Sequence, residues 1–269
     1  MISEAENIFF DTNQALWNAK VPHHVASDFY DLAGFRAGKS SLNRIELEGL
    51  GDDVAGKKML HLQCHFGQDT LSWARMGAEV VGVDFSSVAI QTARDLSAEL
   101  QIPATFISCN IYDLPAHLEG EFDIVFTSYG TISWLPDLDK WAKIVSQYLK
   151  KDGIFYIADF HPTLYLFDFE QQKIAYNYFN EGVVEEMTEG TYALREAPIW
   201  QKEYFWQHSL SETLGALLQN NLQLLDFKEF PTSPYNCFSN MHLQEDGYYS
   251  FGDFGVSLPH VFSLKMKKI

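Results

Sequence analysis

Apolar positions between Lys57 and Phe160 follow two alternating rhythms. Met59 to Gln63, Glu79 to Asp84 (EVVGVD), Ala104 to Cys109 (ATFISC), Phe122 to Ser128 (FDIVFTS) and Ile154 to Phe160 (IFYIADF) are short apolar runs of the kind that form buried strands. Between them the apolar residues recur at spacings of three and four. Leu71 and Ala74 mark a helix over Gln68 to Met76 that stops at Gly77. Ala89, Ala93, Leu96 and Leu100 mark a second, with Ser86 or Ser87 able to cap its start. Pro136 opens a third, striped by Leu138, Trp141, Val145 and Tyr148 and followed by a Lys-Lys-Asp-Gly turn. Strands alternating with helices in this way predict an α/β fold: a doubly wound, mostly parallel sheet with helices on both faces and right-handed crossovers.

Beyond Pro162 the rhythm breaks. Residues 163–207 are rich in aromatic side chains, hold the segment Gly182 to Glu185 and a turn at Gly190, and predict an inserted hairpin or small subdomain. Ser209 and Glu212 fit a capping box for a helix with Leu214, Leu217 and Leu218 buried. Leu222 to Phe230 and His260 to Lys267 are the last strand candidates, separated by the loop 231–259, whose length suits a binding wall. No repeat or Pro/Ser-rich linker divides the chain. The expected organisation is a helical lid over 1–51, a nucleoside-binding core over 52–162, a capping insertion over 163–207, and the rest of the core sheet over 208–269.

Composition narrows the partners. The chain has 269 residues, 46% hydrophobic and 20% charged, enough for its own packed core. Its 36 acidic against 19 basic side chains give a net charge of −17, which repels nucleic acid and anionic membrane surfaces. Cys64, Cys109 and Cys237 fall in neither disulfide nor zinc spacing, so no metal is expected, and the start MISEAENIFF lacks a secretory pattern. A cytoplasmic location and a small-molecule partner are expected. No apolar run reaches the roughly 20 residues a bilayer needs.

In an open parallel sheet, ligands bind beyond the carboxyl ends of the strands. The first such loop contains Gln63, Cys64, His65 and Gly67, where Gly67 permits close approach of a ligand to the backbone. Asp84 ends the second strand, where a carboxylate can accept both ribose hydroxyls; the lesser alternative is that it merely caps the helix after it. Asn110, after the third strand, can pair with an adenine edge or serve as a turn residue, and Ile111 can cover the ring. A dinucleotide would want G-x-G-x-x-G beneath its pyrophosphate, which this bulky loop lacks. His61 and His65 are read as loop histidines and Cys64 as a small filler. The stripe Trp134, Trp141 and Tyr148 is chiefly helix packing, with Trp134 alone placed where a substrate could reach.

Taken together, these segments resemble the class I S-adenosylmethionine-dependent methyltransferases. HLQCHFG (61–67) is similar to their D/E-x-G-x-G-x-G loop but keeps only its last glycine. VVGVDFS, NIYDLP, FDIVFTSYG and LKKDGIFYIADF resemble the following signatures in the same order, over about residues 57–161. The resemblance implies a seven-stranded sheet with the last strand antiparallel. It also implies S-adenosyl-L-methionine as cofactor, with Gln63, Cys64 and Gly67 about its methionine part and His65 and Ser128 also in the cofactor site. Asp84 would hold the ribose, Phe85 and Ile111 the adenine faces, and Asn110 the adenine amino edge. His61 stands where the family has an acid; either the loop is shifted or another residue, such as Asp69, supplies the charge. Methyl transfer is an in-line displacement that alignment and exclusion of water can drive. If a base is needed, His161 is the first candidate, with Tyr129 and His208 behind it. The rival readings are a non-catalytic cofactor-binding module and an NAD-dependent oxidoreductase.

Overall fold

In the computed structural model, residues 4–51, 53–168, 173–251 and 256–269 are described. Strands β1 (Lys58–Leu62), β2 (Glu79–Asp84), β3 (Thr105–Ser108), β4 (Phe122–Ser128) and β5 (Leu149–Phe160) are joined through α4 (Gln68–Arg75), α5 (Ser87–Leu100) and α6 (Leu138–Tyr148). Three helices, α1 (Glu4–Ala26), α2 (Leu32–Arg36) and α3 (Arg44–Leu50), precede them. After β5 come the two-residue strands β6 (Phe167–Asp168) and β7 (Lys173–Ile174), the hairpin β8 (Val183–Glu189) and β9 (Trp200–Trp206), α7 (Leu210–Gln219) and β10 (Leu222–Phe230). A small hairpin, β11 (Met241–Leu243) and β12 (Tyr249–Phe251), and the final β13 (Val261–Lys268) complete the chain.

The seven-stranded sheet has the order β10-β13-β5-β4-β1-β2-β3. β13 alone is reversed, antiparallel to both β5 and β10. The order turns back beside β1, so the tips of β1, β2 and β4 meet at the switch point where such sheets bind ligands. Successive side chains of a strand point to opposite faces, and both faces are buried. Leu60 and Leu62 of β1 pack with Trp141 and Val145 of α6 and Leu217 of α7. Met59 on the other face packs with Trp73 of α4, Phe126 of β4 and Ile45 of α3.

Local details depart from the sequence expectations in physically readable ways. α6 begins after Pro136, with Asp137 as its cap: the carboxylate accepts the Lys140 N–H at 2.9 Å. The Lys-Lys-Asp-Gly segment is not a turn between elements but lies within β5. Asp152 there has φ 63°, and the pairing with β4 shifts register between Phe122 and Ile124. The insertion contains the expected hairpin. The long loop is not structureless: β11 and β12 pair within it, and Tyr249 of β12 lines the cavity described below together with residues 234–238 of the loop. Residues 169–172 of the insertion and 252–255 of the loop lie outside the described residues.

Candidate functional site

A cavity of about 860 Å³ opens beyond the tips of β1, β2 and β4. Its floor is the loop after β1. Gln63 (φ 56°), His65 (φ 50°) and Gly67 (φ 77°) all lie in the left-handed region. These are the three places where the resemblance would put glycine, so the backbone keeps that path and the loop is not shifted. Left-handed geometry costs a non-glycine residue roughly 1–2 kcal/mol, and both side chains are held by contacts that offset it. Gln63 donates to the Thr131 carbonyl (2.9 Å) and leaves its own Oε1 without a partner. The His65 and His24 rings meet nitrogen to nitrogen at 2.8 Å. Gly67 has no such latitude: a Cβ there would lie 2.7 Å from the Phe106 ring.

Asp84 fastens the floor to β2. Its carboxylate accepts the His65 N–H (2.9 Å) and the Ser86 N–H (2.8 Å), while Ser86, not Asp84, caps α5 by accepting from Ala89. A carboxylate has about four lone-pair sites, so with the Phe85 N–H also turned toward it, Asp84 keeps acceptor capacity for a hydroxyl from the cavity it lines. Burial pushes its pKa up to about 6, against the pull of those backbone N–H groups.

The expected acid at position 61 is a neutral imidazole. His61 is buried, its proton affinity pushed down to about 3 by desolvation, and its Nδ1 bonds the Thr70 hydroxyl at 2.8 Å. The candidate negative charge lies in the first turn of α4, on Asp69, where burial pushes the carboxyl pKa up. Asp69 lines the cavity and accepts the hydroxyls of Ser41 (2.6 Å) and Ser128 (3.1 Å).

Gln63, Cys64, His65, Gly67, Asp84, Phe85, Ser128 and Tyr129 thus converge on one cavity. Cys64 is mostly packing, since a Cβ on Gly82 would lie 2.9 Å from its sulfur. Asn110 and Ile111 do not reach the described cavity wall. The Asn110 side chain turns back to accept the Tyr112 N–H (3.1 Å), and Ile111 is buried in the main core. α1 packs over this corner: Gln14 donates to the Phe85 carbonyl (2.6 Å) and Phe10 lies edge-on to Tyr112 at 5.9 Å.

His161, the first base candidate, is engaged elsewhere. It is absent from the cavity wall, and its ring nitrogens bond Glu229 (2.8 Å) and Thr163 (2.9 Å), because β10 brings Glu229 beside it. His208 is likewise structural, bonding the Leu135 carbonyl at 2.7 Å beside Glu212.

Several cavity residues were not singled out in the sequence. Lys20 lies over the Trp17 and Trp134 rings (5.2 and 5.8 Å) and 3.5 Å from Glu203. Tyr192 and Tyr235 come from the insertion and the long loop; the aromatic content of those stretches was their only signal. Asp159 shapes the rim from behind, accepting the backbone N–H groups of Gly130, Thr131 and Ile132 beyond β4.

The methyltransferase-domain family matches residues 53–213, more than half of the chain. An uncharacterized methyltransferase of Synechocystis sp. is 37% identical over 133 residues, covering 48% of this chain and 59% of that protein. A ubiquinone biosynthesis O-methyltransferase of Proteus mirabilis is 30% identical over 132 residues, covering 48% and 54%. The match thus spans little more than half the length of these relatives. Among solved structures, a putative S-adenosylmethionine dependent methyltransferase from Listeria monocytogenes superposes with a TM-score of 0.60 at 18% identity. That alignment covers 83% of this chain and 95% of the other.

Proposed function

The chain belongs to the methyltransferase-domain family, and from that premise we propose that it is an S-adenosylmethionine-dependent methyltransferase acting on a small organic acceptor. The observation that carries this is the left-handed path of Gln63, His65 and Gly67 beside the Asp84 carboxylate, both facing the cavity. Asp84 would hold the ribose hydroxyls, Asp69 and the free Oε1 of Gln63 the ammonium of the methionine part, and Phe85 one adenine face. When bound, the cofactor supplies a sulfonium methyl group open to in-line attack.

The protein's own work is alignment and exclusion of water. Trp17 of α1 meets His65 and Trp134 edge-on, each at 5.4 Å, and so roofs the loop. α1 then acts as a lid, and the β8–β9 hairpin with the 231–259 loop as the acceptor wall. A dinucleotide is disfavoured by the same geometry. Of the described residues lining the cavity, the two lysines are already engaged, Lys20 with Glu203 and Lys39 with Asp31. No lysine of the wall is left to face a pyrophosphate.

The small-molecule acceptor rests on the aromatic wall of the cavity and on the O-methyltransferase relative, whose name concerns that protein. Competition calorimetry with adenosylhomocysteine and NAD tests the reading: adenosylhomocysteine should bind alone, and preference for NAD contradicts it.

A further inference from the structure

Resting on that proposed function, we propose that Asp159, near the end of β5, is a positioning residue for the amino-acid half of the cofactor. It fixes the loop after β4 and, through the Thr131 carbonyl of that loop, turns the Gln63 amide oxygen toward the cofactor's ammonium. Asp159 is 1% exposed. Its Oδ1 accepts the N–H groups of Gly130 and Phe160, the latter at 2.7 Å. Its Oδ2 accepts the Thr131 N–H (3.1 Å), the Thr131 hydroxyl (2.9 Å) and the Ile132 N–H (3.3 Å). Backbone N–H groups only donate, so both oxygens face a setting made for an ionised carboxylate. Among the described residues no cation pairs with that charge; the amides of the loop hold it.

The loop needs such support. Tyr129 (φ 31°) and Gly130 (φ 70°) are both left-handed as the chain leaves β4, and for tyrosine that conformation is strained. Asp159 gathers the three N–H groups that follow Tyr129, which fixes where the Thr131 carbonyl points. That carbonyl takes the Gln63 Nε2 at 2.9 Å. A carbonyl only accepts, so the nitrogen of the Gln63 amide must face it and the oxygen is the atom left over. Gln63 lines the cavity, and its Oε1 has no partner among the described residues. One chain of contacts thus sets both the place of the Gln63 side chain and which of its atoms a ligand meets.

An ammonium only donates, so it needs acceptors held in place. His61, a neutral imidazole bonded to Thr70, brings no negative charge to the floor. Of the two acceptors assigned above, Asp69 is already engaged by the Ser41 and Ser128 hydroxyls, and the Gln63 oxygen is the one with no other partner among the described residues. Gln63 is therefore set to read the amino-acid end of the cofactor, whereas Asp84 and Phe85 serve the nucleoside end. Asp159 is absent from the described cavity wall, so its effect on the ligand travels through Thr131 and Gln63.

The test is calorimetry with two ligands, adenosylhomocysteine and methylthioadenosine, which shares its nucleoside and thioether but lacks the amino-acid group. In Asp159→Asn either orientation of the new amide sets its NH2 against N–H donors, so the loop loses its hold. Adenosylhomocysteine should bind at least about tenfold weaker and methylthioadenosine within about twofold of the unaltered protein. Thr131→Val removes one bond to Asp159 and keeps the backbone; it should weaken adenosylhomocysteine about threefold with the same selectivity, and Thr131→Ser should restore it. That pair decides the matter if Asp159→Asn does not fold. With Gln63→Ala already in place, Asp159→Asn or Thr131→Val should add less than about twofold, because the contact they act through is gone. Equal losses for the two ligands, an undiminished loss in the Gln63→Ala background, or no loss at all overturns the inference and leaves the proposed function standing. Only failure of the unaltered protein to bind either ligand strikes the function itself.

Discussion

His65 in the loop after β1 and His24 near the end of α1 share a hydrogen bond of 2.8 Å, so the floor of the cavity is tied directly to its roof. Trp17 lies edge-on to both rings, at 5.4 Å from His65 and 6.0 Å from His24. Replacing His65 by glycine relieves the left-handed strain but cuts this tie. His65→Gly is therefore expected to speed amide hydrogen exchange in the last turns of α1 at least tenfold while leaving β1 and β4 protected. Unchanged exchange in α1 would show that the imidazole pair does not hold the lid.

The pH dependence of stability has a maximum set by two opposed sets of groups. Burial pushes His24 down to about 2 and both His61 and His65 to about 3; neighbouring positive charge adds to the effect for His24 and His65. Below the ordinary histidine value of 6.5 the unfolded chain binds protons that the folded one refuses, and stability falls as pH drops, by up to about 1.4 kcal/mol per pH unit for each ring. Glu46 runs the other way. Its folded value near 8 lies above its unfolded one, so the folded state holds an extra proton from about pH 4.5 upward, and this contribution is lost as pH rises toward 8. Denaturant titrations should place maximum stability near pH 6.5. Glu46→Gln should flatten the decline between pH 6.5 and 8; a decline that persists in the variant assigns it to other groups.

Much of this architecture was legible in the chain because alternating apolar runs and three-to-four spacings leave few packings other than a parallel sheet between helices. Asp84 was legible for the same reason, as a carboxylate at a strand tip. His161 and Asn110 also follow strands, yet each turned elsewhere. Partners remote in sequence or the local backbone decided this: Glu229 of β10 for His161, and the Tyr112 N–H for Asn110. Glu46 was hidden because one acid on a short helix reads as surface. A faint signal lay in Gly49, three residues on. A Cβ there would lie 2.2 Å from the Tyr156 ring, so its absence lets α3 press onto β5, where Tyr156 donates to the Ile45 carbonyl at 2.8 Å.

Gly67 is the position at which the floor tolerates no side chain. Gly67→Ala combines a left-handed backbone with a Cβ 2.7 Å from Phe106 and close to Ala93. Strain and overpacking together should cost about 2–4 kcal/mol. The denaturant midpoint is expected to fall accordingly with an unchanged slope; a loss under about 1 kcal/mol would mean that the loop relaxes freely.

Asp84 has two tasks, and calorimetry separates them. Asp84→Ala removes a charged acceptor from the ribose hydroxyls and should weaken adenosylhomocysteine at least tenfold, since hydrogen bonds to charged groups contribute about 1.5–3 kcal/mol each. Loss of its bonds to His65 and Ser86 should also lower the melting temperature. Equal affinity in a variant that remains folded removes Asp84 from the binding site.

The most direct measurement is a crystal structure of the protein grown with adenosylhomocysteine. The account predicts the nucleoside across the tips of β1, β2 and β4, its ribose hydroxyls on the Asp84 carboxylate and its ammonium facing Asp69 and Gln63. Density elsewhere, or a cleft filled only by Trp17 and His65 at saturating ligand, contradicts it.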